Sequence, residues 1–134
     1  MFLNTTNIRI RYSETDQMGY CYYGNYAQFF EIGRVETLRK IGVSYKSLEA
    51  RGIMLPVTEL SVKYILPARY DDLIEIKTSL RKIPTAKIEF DYEIFNEKKE
   101  LLTKGYTALV FISSETKKPV SAPKDLIEKL NQLI

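Results

Sequence analysis

The chain of 134 residues contains no histidine. Catalytic triads and dyads built on histidine, histidine general bases and histidine-ligated metal sites are therefore excluded together. Any acid–base chemistry must depend on a carboxylate, a tyrosine, a lysine or water.

Cysteine is also scarce, because Cys21 is the single one and cannot form an internal disulfide. A lone cysteine favours a reducing compartment. No charged-then-apolar leader opens the sequence, and no apolar run approaches the roughly 20 residues that a membrane span needs. The net charge of +3 suits an anionic ligand but does not indicate nucleic acid. We therefore expect a cytoplasmic protein without a membrane or nucleic-acid partner.

Residues 9–39 form the most informative stretch, which reads as a short strand, a polar turn with Asp16 and a long amphipathic helix. Asn25 is predicted to cap the helix, with Gln28 completing a capping box. Glu36 and Lys40 are spaced for an i,i+4 ion pair, and Gly42 ends the helix. The positions with helical spacing that predict a buried face are Tyr26, Phe29, Phe30, Gly33, Thr37, Leu38 and Ile41.

The remaining chain alternates apolar and polar residues, which predicts strands. A short helix after Ser44 and a C-terminal amphipathic helix after Pro123 complete the pattern, which is that of a single α+β domain. Long open strands such as Ser61–Leu66 favour edge-to-edge dimerisation. The predicted strands are 7–12, 60–66, 74–80, 88–94 and 102–112, with Gly105 as a bulge or close-approach point, and the apolar face of the last helix comprises Leu126, Ile127, Leu130, Leu133 and Ile134.

Asp16 lies just upstream of the helix start, where free N–H groups and the helix dipole can polarise a carbonyl oxygen. This pattern is typical of acyl transfer without a triad. The simpler alternative is that Asp16 only caps a turn, Gly24 only permits one and Asn25 only caps the helix. From position alone, this alternative is favoured for Asp16.

The runs Tyr12-Ser-Glu-Thr-Asp16-Gln-Met-Gly19 and Tyr22-Tyr-Gly-Asn-Tyr26, followed by a helix with Glu31 and Arg34, resemble the signature of the hotdog-fold acyl-CoA thioesterases. The most similar group contains 4-hydroxybenzoyl-CoA thioesterase and its short-chain relatives. The resemblance implies one hotdog domain over residues 1–134, in which a curved antiparallel sheet wraps a long central helix. It also implies dimers that share a continuous sheet, often paired into tetramers, with the active site between subunits.

The same resemblance implies roles for individual residues. Asp16 would act as nucleophile or general base, and the backbone N–H groups of Tyr23, Gly24 and Asn25 would form the oxyanion hole, with Tyr23 foremost. No metal or organic cofactor would be needed, because coenzyme A belongs to the substrate. Pocket residues would be Tyr26, Glu31, Thr58 and Glu59, and the residues placed to meet the phosphates of coenzyme A would be Lys63, Arg69, Arg81, Lys82 and Lys87.

Several of these assignments have alternatives. Glu31 is equally suited to an ion pair with Arg34. For Glu59 a solvent-facing strand position is favoured, and for the basic residues an ordinary solvated surface is favoured. Relatives often carry a basic cluster where this chain has Pro84-Thr-Ala86.

The expected function is hydrolysis of an acyl-CoA thioester to a carboxylic acid and free coenzyme A. The alternatives are an acyl-ACP thioesterase and a non-catalytic acyl-CoA-binding hotdog protein, whereas hotdog dehydratases rely on histidine. Tyr20, Tyr22 and Tyr64 suit an aryl or a short aliphatic acyl group equally, so the acyl group stays open.

Overall fold

A five-stranded antiparallel sheet and one long helix form the framework of the protein, for which a computed structural model describes residues 1–134. The strands lie in the order β1-β4-β5-β6-β3, and β2 pairs with β7 in a separate two-stranded sheet. The elements are β1 (Phe2–Arg9), α1 (Tyr26–Ile41), α2 (Tyr45–Ala50), β2 (Ile53–Met54), β3 (Val57–Tyr64), β4 (Leu73–Leu80), β5 (Lys87–Phe95), β6 (Leu101–Val110), β7 (Ile112–Ser113) and α3 (Lys124–Leu133).

The predicted buried face of α1 is confirmed at every one of its seven positions. The helix packs against β1, β4 and β5 and belongs to a core cluster of 23 buried residues. A long helix held against a meander of β4, β5 and β6 is the hotdog arrangement that the resemblance predicted. Gly42 ends the helix with a φ of 101°, also as predicted. The predicted ion pair between Glu36 and Lys40 was wrong, because Glu36 forms an ion pair with Arg39 instead, at 3.3 Å.

Gly105 in β6 is a close-approach point, as predicted from its position inside a strand pattern. A Cβ atom on this residue would overlap the ring of Phe30 on α1. Phe30 is fully buried and stacks on Tyr92 of β5, with ring centroids 4.4 Å apart. The missing side chain at Gly105 therefore lets the helix and the sheet approach one another.

The predicted bounds were wrong for three strands. β1 runs from Phe2 to Arg9 instead of 7–12. The prediction missed its first residues because the inward positions Asn4 and Thr6 are polar and show no apolar alternation. β3 starts and ends earlier than the predicted 60–66. β6 stops at Val110, after which Ile112 pairs with Met54 in the small sheet.

β3 is an edge strand, which pairs with β6 on one side and with no strand of this chain on the other. Seven of its eight residues are exposed. At the C-terminus, Leu126 and Leu130 of α3 are buried as predicted, but Leu133 and Ile134 are 49% and 46% exposed, because the core ends before the last turn. No helix of the structure combines the length and the apolar character that crossing a bilayer requires.

Candidate active site

Asp16 occupies a tight turn between β1 and α1. Its carboxylate oxygen Oδ1 accepts the N–H of Met18 at 2.9 Å and the N–H of Tyr20 at 3.3 Å. Gly19, with a φ of 80°, adopts the left-handed conformation that closes the turn. Oδ2 accepts no hydrogen bond from the protein, and the residue is only half-buried. Asp16 therefore stabilises its own turn and still offers one oxygen atom to a ligand.

A single turn of 3₁₀-helix, Tyr23–Asn25, leads directly into α1. The predicted capping box is wrong, because Asn25 has helical backbone angles and its side chain caps no N–H group. Instead, Asn25 Nδ2 donates to the backbone oxygen of Glu14 at 2.8 Å. The N–H of Tyr22 donates to the same oxygen at 2.8 Å. One carbonyl thus holds the start of the helix against the segment that carries Asp16.

The first N–H groups of this turn have no acceptor. Neither Tyr23 N–H nor Gly24 N–H donates to a backbone or side-chain oxygen, whereas Asn25 N–H donates to Tyr22 O at 3.0 Å. Unpaired donors are expected at the beginning of a helix, and they attract partial negative charge. Of the three predicted oxyanion donors, Tyr23 and Gly24 are therefore available, and the N–H of Asn25 is already used.

Asp16 and the start of α1 line one cavity of about 240 Å³. This cavity brings together the predicted catalytic residue Asp16, the predicted oxyanion residue Tyr23 and the predicted pocket residue Tyr26. The part of the apolar wall formed by the residues that follow β3 was not predicted, because nothing in the local sequence after a strand indicates that those residues line a pocket. The full lining comprises Asp16, Met18, Tyr20, Cys21, Tyr23, Tyr26, Tyr64, Ile65, Leu66 and Pro67.

The cavity wall is electrically neutral except at Asp16. Burial raises the pKa of the Cys21 thiol to about 11 and that of the Tyr26 phenol to about 12. Burial also raises the pKa of Tyr64, the one lining tyrosine on β3. At neutral pH these groups keep their protons, so Asp16 is the only charged side chain in the lining and the group suited to act as a base.

The chain is similar to known proteins over nearly its whole length. A family model described as the thioesterase-like superfamily matches residues 10–130, a range that includes the Asp16 turn, α1 and β3 to β6. The chain belongs to this superfamily.

Relatives within the superfamily match the chain closely in length. The acyl-CoA thioester hydrolase YbgC of Escherichia coli O157:H7 is 31% identical over 134 residues, which are 97% of this chain and all of the relative. The acyl-CoA thioesterase YbgC of Haemophilus influenzae is 28% identical, covering 89% of this chain and 88% of the relative. A crystal structure of DHNA-CoA thioesterase from Staphylococcus aureus is 40% identical, with a TM-score of 0.94 and coverage of 99% and 91%.

Three residues predicted for the pocket lie elsewhere in this thioesterase-like chain. Glu31 is exposed on α1 and makes no ion pair with Arg34, whose Nε atom donates instead to the hydroxyl of Tyr45 at 2.9 Å. Thr58 and Glu59 lie on the exposed edge strand β3, outside the cavity. The resemblance assigned the last two to the wall contributed by a facing subunit, and that assignment stays a prediction.

The basic residues predicted to meet phosphates are dispersed. Arg81 forms an ion pair with Asp91 at 2.6 Å, and Lys82 forms one with Glu89 at 3.3 Å. Arg69 lies near the cavity, with its guanidinium 4.9 Å from the ring centroid of Tyr20. The exposed residues Lys63 and Lys87 form no ion pair. No three acidic or cysteine side chains cluster as metal ligands.

Proposed function

We propose that the protein hydrolyses acyl-CoA thioesters to a carboxylic acid and free coenzyme A. The observation that carries this proposal is the shared cavity, which is lined both by Asp16, a carboxylate with a free oxygen, and by Tyr23, the first residue of a turn whose first N–H groups are unpaired. The relatives named acyl-CoA thioester hydrolase and acyl-CoA thioesterase support the same reaction.

In this proposal the thioester carbonyl oxygen lies against the N–H groups of Tyr23 and Gly24, which stabilise the negative charge that develops there. Asp16 either attacks the carbonyl carbon, forming an anhydride that water then hydrolyses, or takes a proton from an attacking water. The C–S bond breaks, and the departing sulfur takes up a proton. In both cases one water is consumed for each acid and thiol released.

We propose an aryl acyl group as the preferred substrate. Tyrosine rings dominate the cavity, and aromatic pairs favour flat partners in stacked or edge-to-face arrangements. The similar Staphylococcus aureus protein is named for an aryl substrate, DHNA-CoA.

We also propose a cytoplasmic homodimer, paired into a tetramer, that is joined through the open edge of β3. Pairing at this edge satisfies its free backbone groups and extends the sheet across both subunits. It would bring Thr58, Glu59 and Lys63 to the subunit boundary, where the resemblance locates the active site. Size-exclusion chromatography with light scattering tests the assembly, and a monomer at micromolar concentration would contradict it.

The decisive experiment for the reaction is Asp16→Asn, which keeps the side-chain shape and removes the charge. We expect kcat for an aryl-CoA thioester to fall by at least about a hundredfold, because a positioned base or nucleophile contributes on this scale. Asp125→Asn is the matched control, since Asp125 pairs with Arg51 on the surface of α3. Near-normal hydrolysis by Asp16→Asn would refute the mechanism.

A substrate panel separates the alternatives. Aryl-CoA, short-chain and long-chain acyl-CoA, and the same acyl groups on acyl carrier protein are compared in one assay that follows release of free thiol. Faster turnover of the carrier-protein thioesters would favour an acyl-ACP thioesterase. Tight binding of acyl-CoA without turnover would favour a non-catalytic binding protein.

A further inference from the structure

The hydroxyl of Tyr64, the last residue of β3, contacts the turn that begins α1. It donates a hydrogen bond to the backbone oxygen of Tyr23 at 2.9 Å, although the two residues are 41 positions apart. The Tyr64 ring also meets the rings of Tyr23 and Tyr26 edge to face, at centroid distances of 6.3 and 5.1 Å. The end of the edge strand β3 is thereby joined to the start of the helix.

The oxygen that Tyr64 contacts belongs to the same peptide unit as the N–H of Gly24. Because a peptide unit is planar, a hydrogen bond that fixes the carbonyl also fixes the direction of this N–H. A hydrogen bond accepted by a carbonyl also polarises the attached N–H and makes it a stronger donor. Gly24 N–H is one of the two unpaired donors of the turn that begins with the cavity residue Tyr23, so both effects act on it.

We propose that Tyr64 is a positioning residue that orients and polarises the Gly24 N–H for oxyanion stabilisation. This inference rests on the proposed thioester hydrolysis and adds a residue to it. Tyr23 O also accepts the N–H of Tyr26 within the turn, so the bond from Tyr64 is the one that ties this peptide to the sheet.

The alternative role for Tyr64 is that of an apolar wall for the acyl group, since its ring lines the cavity. The two roles predict different kinetics. A wall acts on the bound substrate and on the transition state alike, so its loss raises KM. A residue that strengthens an oxyanion donor acts mainly in the transition state, so its loss lowers kcat.

Tyr64→Phe separates these roles, because it keeps the ring and removes only the hydroxyl. We expect kcat for an aryl-CoA thioester to fall about three- to tenfold, as for one neutral hydrogen bond, with KM unchanged. The matched control is Tyr106→Phe, which removes a hydroxyl that donates to Glu89 on a different part of the sheet. An unchanged kcat, or a rise in KM alone, would overturn the inference.

A second measurement does not depend on catalysis. The chain has six glycines, so labelling with ¹⁵N-glycine gives a spectrum in which Gly24 can be assigned by substitution. In Tyr64→Phe we expect the Gly24 ¹⁵N resonance to move upfield, because its peptide carbonyl loses a donor, and to stay in place in Tyr106→Phe. An unmoved resonance would overturn the inference whatever the kinetics show.

The two proposals fail in different ways. Retained hydrolysis by Asp16→Asn contradicts the reaction mechanism and leaves the Gly24 resonance as the test of Tyr64. A large loss in Asp16→Asn combined with an unchanged kcat in Tyr64→Phe contradicts only the role of Tyr64.

Discussion

Replacing Asn25 with aspartate should destabilise the protein more than replacing it with alanine. In the structure Asn25 is a donor, whose Nδ2 atom lies 2.8 Å from the backbone oxygen of Glu14. Alanine removes this bond but leaves Glu14 O satisfied by the N–H of Tyr22. Aspartate instead presents a negative carboxylate to a carbonyl oxygen, which is a repulsive contact.

The magnitudes follow from these contacts. Asn25→Ala should lower the free energy of unfolding by about 1 kcal/mol, as for one neutral hydrogen bond. Asn25→Asp should lower it by about 2–3 kcal/mol, because a partly buried charge is added without a donor. For a chain of 134 residues each kcal/mol corresponds to roughly 3–5 °C in Tm.

A capping role predicts the opposite order. At a helix N-cap, aspartate replaces asparagine without loss and is favoured by the helix dipole, whereas alanine costs about 1 kcal/mol. The two variants therefore decide whether Asn25 acts as a donor to Glu14 or as a cap acceptor.

The free energy of unfolding of the parent, Asn25→Ala and Asn25→Asp is measured by urea unfolding, followed by far-ultraviolet circular dichroism. The three proteins are compared at equal concentration, because association would contribute to stability. The deficit of Asn25→Asp should shrink as the pH falls toward about 4. Its folded pKa is expected above the unfolded value of about 3.9, so protonation favours the folded state at low pH. If Asn25→Asp is as stable as the parent at pH 7, this reasoning is refuted.

Three further predictions concern the core and the cavity. Gly105→Ala should cost about 1–3 kcal/mol in urea unfolding, because the new methyl group overlaps the ring of Phe30; a change below about 0.5 kcal/mol would contradict the close approach. Tyr92 and Tyr26 have pKa values raised to about 12 by burial, so they should titrate after the exposed tyrosines in absorbance at 295 nm. Because these folded pKa values exceed the unfolded value of about 10, their contribution to stability is complete below pH 10 and is lost as the pH rises toward 12; titration of all tyrosines near pH 10 would be inconsistent with this. Cys21, with its pKa raised to about 11, should react with thiol reagents at pH 8 roughly a hundredfold more slowly than in urea; equal rates would show an accessible thiolate.

The sequence predicted well those elements whose signal is local. The buried face of α1 and the meander of β4, β5 and β6 follow from apolar periodicity, which is a property of neighbouring residues. β1 was mostly missed because Asn4 and Thr6 point inward with polar side chains. Its strand conformation comes from pairing with β4, which lies some 70 positions later in the chain.

The candidate site likewise combines features that the sequence indicated with features that only the fold decided. The sequence linked Asp16 and the start of a helix to one function through the resemblance to the hotdog thioesterases, because position alone favours a turn-capping role for Asp16. Whether Asn25 donates or accepts was decided by the tertiary position of Glu14 O, 11 residues earlier. The contact between Tyr64 and Tyr23 was also decided by the fold, since only the sheet brings these distant residues within hydrogen-bonding distance. Local patterns thus indicated that Asp16 lies beside the start of a helix, whereas packing determined the rest of the cavity wall and which atoms face each other there.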